Sequence, residues 1–175
     1  GLVKRFGGFH ALDGLSFHVS SGEILGLVGP NGSGKTTAIN VISGLYAPDG
    51  GTLTYDGASI GGMASHKLVH RGINRTFQIP KPLLSLTVRQ NVEVALAYGR
   101  VGVAPPKLSD LLEQYHLAEF AERPAADLNS SQQKMLDLVR ALATRPRLLL
   151  LDELAAGLNP TELDWIAGHI KALAQ

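Results

Sequence analysis

Residues 29–37 read "GPNGSGKTT", in which Gly29, Gly34, Lys35 and Thr36 match the phosphate-loop (Walker A) pattern G-x-x-x-x-G-K-[ST]. Glycines let backbone N–H groups converge on phosphate oxygens, and the helix that follows points the positive end of its dipole at them. Lys35 is placed to neutralise the β and γ phosphates, and the Thr36 hydroxyl is placed to ligate Mg²⁺. The stretch therefore predicts a site for a nucleotide and Mg²⁺. The predicted nucleotide contacts are Gly29, Pro30, Asn31, Gly32, Ser33, Gly34, Lys35, Thr36 and Thr37.

The neighbours of this loop fit a strand–loop–helix unit. The run "GEILGLVG" at 22–29 is short, apolar and closed by glycine, which predicts a buried strand. Helix-compatible apolar positions follow from Thr36 to Ile42, and Gly44 is a stop signal. A glycine-rich turn before an ordinary helix is the alternative. A chance match to the pattern in a chain of this length is about one in a hundred or rarer, so nucleotide binding is favoured.

The run "RLLLLDE" at 147–153 supplies a second half of the site, of the Walker B kind. A leucine strand ends here in Asp152 and Glu153. Asp152 can reach Mg²⁺ through water, and Glu153 is a candidate general base for an attacking water, a role worth about 10²–10⁴-fold in rate. A solvated acidic turn is the alternative, and the phosphate loop upstream favours the catalytic interpretation.

The remaining patterns alternate strands with helices. Residues 48–57 alternate apolar and polar positions between glycine turns, which predicts an antiparallel strand pair, and residues 72–78 predict another strand. Thr87 and Gln90 form a capping-box pattern ahead of a helix to about Ala97. Further predicted helices lie around 108–115, over 135–142, and after the cap pattern of Asn159, Pro160 and Glu162.

This order predicts an α/β fold. We expect a P-loop NTPase core with a parallel sheet, an N-terminal antiparallel β subdomain and an inserted helical subdomain. In that interpretation residues 1–175 form a single, partial domain. The nucleotide-binding core with its β subdomain takes 1–81 and 131–175, and the helical subdomain takes 82–130.

Composition excludes several function classes. The 175 residues contain no cysteine, which rules out disulfides, thiolate zinc sites and cysteine nucleophiles. The formal net charge of +1 gives no footprint for nucleic acid or an anionic membrane. No apolar run approaches the length of a membrane span. The chain starts at Gly1 and ends at Gln175 inside a helical pattern, so we expect a fragment of a longer soluble protein.

Over essentially its whole length the chain resembles the nucleotide-binding subunits of ATP-binding cassette (ABC) transporters. Gln78 falls at that family's Q-loop glutamine, which senses Mg²⁺ and couples to the membrane domains, and Phe6 in "KRFGG" falls at its adenine-stacking aromatic. "LNSSQQK" at 128–134 falls at the signature, usually Leu-Ser-Gly-Gly-Gln-Gln-Lys/Arg, and "AAGLNP" at 155–160 falls at the D-loop.

The resemblance implies roles for these positions. Lys35 and Glu153 would be catalytic, and Thr36, Gln78 and Asp152 would hold the metal. Further nucleotide contacts would come from Phe6, Gln78, Ser130, Ser131 and Gln132. Taken alone, however, Phe6 fits core packing better than an adenine platform, and a glutamine that ends a strand is commonplace.

"RTFQ" at 75–78 and "AAGLNPTE" at 155–162 resemble importers of branched-chain amino acids more than other subclasses. The resemblance then implies a head-to-tail dimer with a second ABC ATPase subunit, transmembrane permease partners, and a peripheral place on the cytoplasmic face of the plasma membrane. It implies neither nucleic-acid binding nor insertion into the membrane. The family's switch histidine would lie beyond Gln175, because His169 lies within a helical pattern, and the other histidines show no metal-ligand spacing.

The signature departs from the family's pattern. Asn129, Ser130 and Ser131 replace Ser-Gly-Gly, and Leu154 replaces the usual proline after the catalytic glutamate. Serine is a good N-cap, and Ser130 with Gln133 fits a capping box, so we expect the helix to persist. At Ser131 a Cβ stands where close backbone approach to a partner's γ-phosphate is needed. We expect this to impair the signature's function.

Three functions stay open at this point. The leading one is an ATPase subunit that powers an importer. The second is a degenerate nucleotide-binding subunit that regulates rather than hydrolyses, and the third is a soluble, non-transport ABC protein. A GTPase is disfavoured because no Asn-Lys-x-Asp motif is present. We expect the 175-residue chain on its own to be inactive, since the strands at 22–29 and 147–153 would lack the strand that lies between them in this family.

Overall fold

The computed structural model describes residues 1–154 and 159–174. The chain divides into two compact units, one of Gly1–Met63 with Leu158–Gln175 and the other of Ala64–Gly157. Helices and strands are mixed, and the strand pairs include a parallel one, so the α/β prediction is confirmed.

The first unit begins with an antiparallel hairpin of β1 (Leu2–Phe6) and β2 (Phe9–Leu15). A second, short hairpin joins β3 (Thr54–Tyr55) to β4 (Ala58–Ser59), within and just after the stretch where the alternating pattern predicts antiparallel strands. The helices are α1 (Lys35–Ile42), as the pattern predicts, and α6 (Pro160–Leu173). A buried cluster of Leu2, Leu12, Ala38 and Val41 packs α1 against the first hairpin.

The predicted strand at 22–29 is wrong for this structure. Residues 23–30 form no strand in the described part of the chain, and Val28 is 93% exposed while Ile24 is 56% exposed. An apolar run indicates that a segment favours burial between other strands, but the ladder forms only if a neighbouring strand pairs with it. The predicted antiparallel and parallel pairs elsewhere have such neighbours, and this segment does not among the described residues.

The second unit contains the parallel pair of β5 (Ile73–Arg75) and β6 (Leu148–Leu150), in register from Ile73 with Leu148 to Arg75 with Leu150. Both are shorter than the predicted strands at 72–78 and 147–153. The helices are α2 (Ser65–His70), α3 (Val88–Ala97), α4 (Leu108–Gln114) and α5 (Ser130–Ala143), with 3₁₀ turns at Ala118–Phe120 and Ala125–Asp127.

Helix α5 is the core of the second unit. Its residues from Met135 to Val139 are all buried, and α3 and α4 pack against it. The predicted capping boxes of Thr87 with Gln90 on α3 and of Asn159 with Glu162 on α6 are confirmed.

The predicted capping box of Ser130 with Gln133 is wrong by one position. Asn129 is the N-cap of α5: its side chain accepts from the Gln132 N–H at 2.9 Å, and the Gln132 side chain accepts from the Asn129 N–H at 2.9 Å. Asparagine is at least as good a cap as serine, and Ser130 is already the first helical residue. Gln133 instead donates to the Leu128 carbonyl at 3.0 Å.

None of the helices among the described residues is both long enough and apolar enough to cross a membrane.

Candidate functional site

In the first unit, the phosphate loop wraps around the Lys35 side chain. The Lys35 ammonium group donates to the carbonyl oxygens of Gly29 and Pro30, both at 2.8 Å. The side chain is only half-exposed. The loop thus carries one fixed positive charge at its centre, which suits a polyanionic ligand.

Glycine is required at Gly34 for two reasons. Its φ of +90° lies in the left-handed region, and a Cβ there would collide with the backbone carbonyl of Ala11. Gly34 is also the N-cap of α1 and has no side-chain cap hydrogen bond. The N-terminal N–H groups of α1 are therefore left for an anion, which is the arrangement that fits phosphate.

The other loop residues surround this helix start. Thr36 and Thr37 lie in the first turn of α1 and are half-buried, whereas Asn31, Gly32 and Ser33 are exposed. The residues present therefore fit a nucleotide phosphate, with the Thr36 hydroxyl as the group in this unit able to hold Mg²⁺.

Phe6 ends β1 and is 45% exposed. One edge contact with Tyr46, at a centroid distance of 5.2 Å, and the Lys4 ammonium group at 5.4 Å hold the ring. The ring does not pack in the core, so its surface is available for stacking.

In the second unit, Asp152 lies two residues beyond the end of β6 and directly precedes Glu153. It is 5% exposed, and its carboxylate lies 3.4 Å from the Arg75 guanidinium. The backbone N–H of Asp152 donates to the Thr76 hydroxyl at 3.4 Å. Parallel pairing of β5 with β6 brings these groups together at the same end of the two strands.

Gln78 and Glu153 are in direct contact. The Gln78 side-chain amide donates to the Glu153 carboxylate at 2.6 Å, and both side chains are exposed. Glu153 has a φ of +50°, the left-handed region that residues with a Cβ adopt rarely and often at functional sites. Asp152 is thus buried and Glu153 exposed, although the two residues are adjacent.

Sequence reasoning missed Asp137 and Arg140 on α5. The Phe77 N–H donates to Asp137 at 2.8 Å, and Arg140 donates to the Lys81 carbonyl at 2.7 Å. Burial raises the pKa of Asp137, and the hydrogen bond from Phe77 and the charge of Arg140 oppose that rise. The sequence signal that could have found Asp137 is an acidic residue with two apolar residues on either side of it.

The signature residues form the first turn of α5. Ser130 is exposed, and Ser131 and Gln132 are half-buried, with Gln132 held in the capping box. The helix start is intact although both signature glycines are replaced.

No histidine belongs to a metal-binding cluster in the described parts of the chain. Among residues 1–154 and 159–174 there is no group of three or more His, Asp or Glu residues that could hold a metal. His169 lies in α6 as predicted, contacts the Trp165 carbonyl at 3.2 Å and stacks on the Trp165 ring at a centroid distance of 4.0 Å.

Of the D-loop motif at 155–160, residues 155–158 lie outside the described residues.

The predicted residues thus fall into two groups. One unit brings together the phosphate-loop residues 29–37 around Lys35, and the other brings together Gln78, Asp152 and Glu153. The first group suits phosphate binding, and the second presents an amide and two carboxylates at the end of a strand pair, as metal-assisted hydrolysis requires.

Comparisons with known proteins point the same way. A family model described as ABC transporter matches residues 12–156. The high-affinity branched-chain amino acid transport ATP-binding protein BraF of Pseudomonas aeruginosa is 39% identical over 190 residues, covering 99% of this chain and 74% of that protein. The corresponding protein LivG of Escherichia coli K12 is 35% identical over 179 residues, covering 93% of this chain and 70% of that protein.

Solved structures agree. A nucleotide-free ATP-binding cassette from an ABC transporter has a TM-score of 0.84 at 35% identity, covering 99% of this chain and 74% of that chain. A dimeric ATP-binding cassette in a post-hydrolysis state, bound to ADP and Pi, has a TM-score of 0.86 at 26% identity, covering 99% of this chain and 79% of that chain.

Proposed function

The chain belongs to the ABC transporter family of ATP-binding cassettes, and from that membership we propose that it is the ATP-binding and ATP-hydrolysing subunit that powers an importer of branched-chain amino acids. Cassettes of this family are ATPases. The substrate class rests on the names of the relatives, which are branched-chain amino acid transport ATP-binding proteins.

The observation that carries the proposal is the contact between Gln78 and Glu153. The carboxylate lies in an exposed, left-handed turn at the end of β6, 2.6 Å from the amide of Gln78. An exposed carboxylate held by one neutral donor keeps acceptor capacity for a water molecule. Glu153 is therefore the general base in our proposal, and Gln78 orients it.

The other residues divide the remaining work. Lys35 and the N–H groups at the start of α1 bind the phosphates, and Phe6 stacks on the adenine. Mg²⁺, when bound, neutralises phosphate charge, and Thr36, Gln78 and Asp152 are the residues that would hold it. Buried Asp152 is fixed by Arg75, so its carboxylate is oriented before any ligand arrives.

We extend the proposal to partners and place. A second ABC ATPase subunit would bind head to tail, so that the signature of one chain, here Ser130, Ser131 and Gln132, faces the nucleotide of the other. Permease subunits would hold the pair at the cytoplasmic face of the plasma membrane. The dimeric cassette among the similar structures supports the pairing.

One observation favours a second candidate, a regulatory subunit with impaired hydrolysis. Ser131 places a side chain in the first turn of α5, where the family's pattern has a glycine. This change concerns the partner's nucleotide, whereas Glu153 and Gln78 serve the chain's own, so hydrolysis remains the leading proposal.

The test is phosphate release by the full-length chain assembled with its partner subunits. Glu153→Gln keeps the size and the contact with Gln78 but removes the base, so turnover should fall about 10²-fold or more while Mg-ATP still binds. The exposed acid Asp110 provides a control through Asp110→Asn, which should leave turnover unchanged. Unaltered turnover in Glu153→Gln, or no turnover in the parent protein, would rule the proposed function out.

A further inference from the structure

Residues 77–81, the Q-loop segment, are tied to α5 at both ends. At its start, the Phe77 N–H donates to the Asp137 carboxylate at 2.8 Å. At its end, the Lys81 carbonyl accepts from the Arg140 guanidinium at 2.7 Å. Two side chains one turn apart on α5 thus hold both ends of a five-residue segment.

Gln78 lies between these anchors. It is exposed, as is Ile79, so the packing of neighbouring side chains does little to fix it. In contrast to Gln78, Asp137 is buried: it is 5% exposed and lies about two turns into α5. The position of Gln78 therefore depends on the backbone at 77–81, and that backbone depends on Asp137.

The stability of α5 alone does not explain why a carboxylate occupies buried position 137. A buried carboxylate is disfavoured unless its oxygens are hydrogen-bonded, and an apolar residue would pack in the same helix at less desolvation cost. The Arg140 guanidinium lies 3.8 Å from Asp137, and burial still raises the carboxyl pKa. What the carboxylate provides that an apolar side chain cannot is an acceptor for the Phe77 N–H and a negative charge beside Arg140, which in turn binds the Lys81 carbonyl.

We propose that Asp137, assisted by Arg140, is a positioning residue that holds the Q-loop segment on α5 so that the Gln78 amide contacts Glu153. This inference deepens the proposed function and rests on it for its catalytic consequence.

The experiment uses the full-length chain assembled with its partner subunits. Asp137→Asn keeps the side-chain volume but replaces one of the two acceptors with a donor. We expect the Phe77 amide to exchange hydrogen faster, and kcat to fall roughly 10- to 100-fold, the effect of misplacing a reacting group by a fraction of an ångström to an ångström. KM for ATP should not change, because the phosphate loop is untouched.

Two further variants separate positioning from packing. Asp137→Glu retains two acceptors and should recover part of both the amide protection and kcat. In a Gln78→Ala background, Asp137→Asn should lower kcat little further, because a residue that acts through Gln78 has no effect once Gln78 is gone. Asp110→Asn, an exposed acid in the same unit, is the matched control and should match the parent protein.

The results that overturn the inference are specific. Unchanged exchange at 77–81 in Asp137→Asn would show that the carboxylate does not hold the segment. An undiminished loss of kcat in the Gln78→Ala background would show that Asp137 acts by another route. If Asp137→Asn does not fold, Asp137→Glu and Arg140→Lys carry the same exchange and kcat comparison. A parent protein without turnover would overturn the proposed function alone, since the exchange measurement still decides whether Asp137 holds the segment.

Discussion

Lys35 is the charge around which the phosphate loop is organised. Its ammonium group already binds two carbonyl oxygens of the loop, at Gly29 and Pro30, so little ordering is needed when a phosphate replaces them. A charge-assisted contact of this kind contributes roughly 1.5–3 kcal/mol. Lys35→Ala should therefore weaken Mg-ATP binding by about ten-fold or more.

Titration calorimetry on the full-length chain measures this directly. Lys171→Ala, at an exposed lysine of α6, is the control and should bind as the parent does. Equal affinities for the parent protein and Lys35→Ala would contradict the assigned role of Lys35.

Site residues that belong to a local sequence motif were predictable, whereas residues whose partners are distant in sequence were not. Gly34 and Lys35 follow from the motif, because a phosphate loop needs those residue types at that spacing whatever surrounds them. Asp137 does not, because its partner Phe77 lies 60 residues away in sequence and is reached only through the fold. Which residues form the complete catalytic site stays a prediction.

At the start of α5, the sequence pattern and the structure assign the N-cap to different residues. Both Asn129 and Ser130 are acceptable caps, and the backbone selects Asn129, which is extended and bonded to Gln132 in both directions. Asn129→Ala should lower the free energy of unfolding by about 1 kcal/mol, whereas Ser130→Ala, inside the first turn, should change it by a few tenths at most. Urea unfolding of both variants tests the assignment, and the reverse order would restore Ser130 as the cap.

The starts of α3 and α6 were predictable because their caps are encoded locally. Helix α2 was not predicted, and α5 begins five residues before the periodic run at 135–142. Strands were less predictable because a strand exists only with a partner. The leucine run at 147–153 pairs with β5, but the comparably apolar run at 22–29 pairs with no strand in the part of the chain described here. The apolar side chains of residues 22–29 favour burial in a sheet, but they stay exposed because no neighbouring strand pairs with this segment in the described part of the chain.

At the scale of the whole molecule, the chain divides into two compact units. The helical subdomain at 82–130 stays a prediction. The proposed pairing of two cassettes makes the two nucleotide sites unequal. In that proposal this chain carries Lys35 and Glu153 for its own nucleotide and offers Ser131 to the partner's.

Ser131→Gly tests that inequality. Restoring the glycine should raise total turnover, since one missing donor to a developing charge can cost about 10²–10³-fold in rate at the affected site. Phosphate release by the assembled pair is the measurement, with Asp110→Asn, at an exposed acid of α4, as the control. No change in Ser131→Gly would indicate that Ser131 substitutes adequately for glycine.

The central claim is that ATP hydrolysis on this chain drives import, and uptake tests it most directly. The full-length chain, its partner subunit and their permease are placed in vesicles with ATP at the cassette face, and entry of labelled leucine, isoleucine or valine is followed. We predict ATP-dependent uptake that Glu153→Gln reduces in proportion to its loss of turnover, while Asp110→Asn transports normally. Uptake that continues unchanged in Glu153→Gln, or turnover with no ATP-dependent uptake of any of the three, would contradict the account.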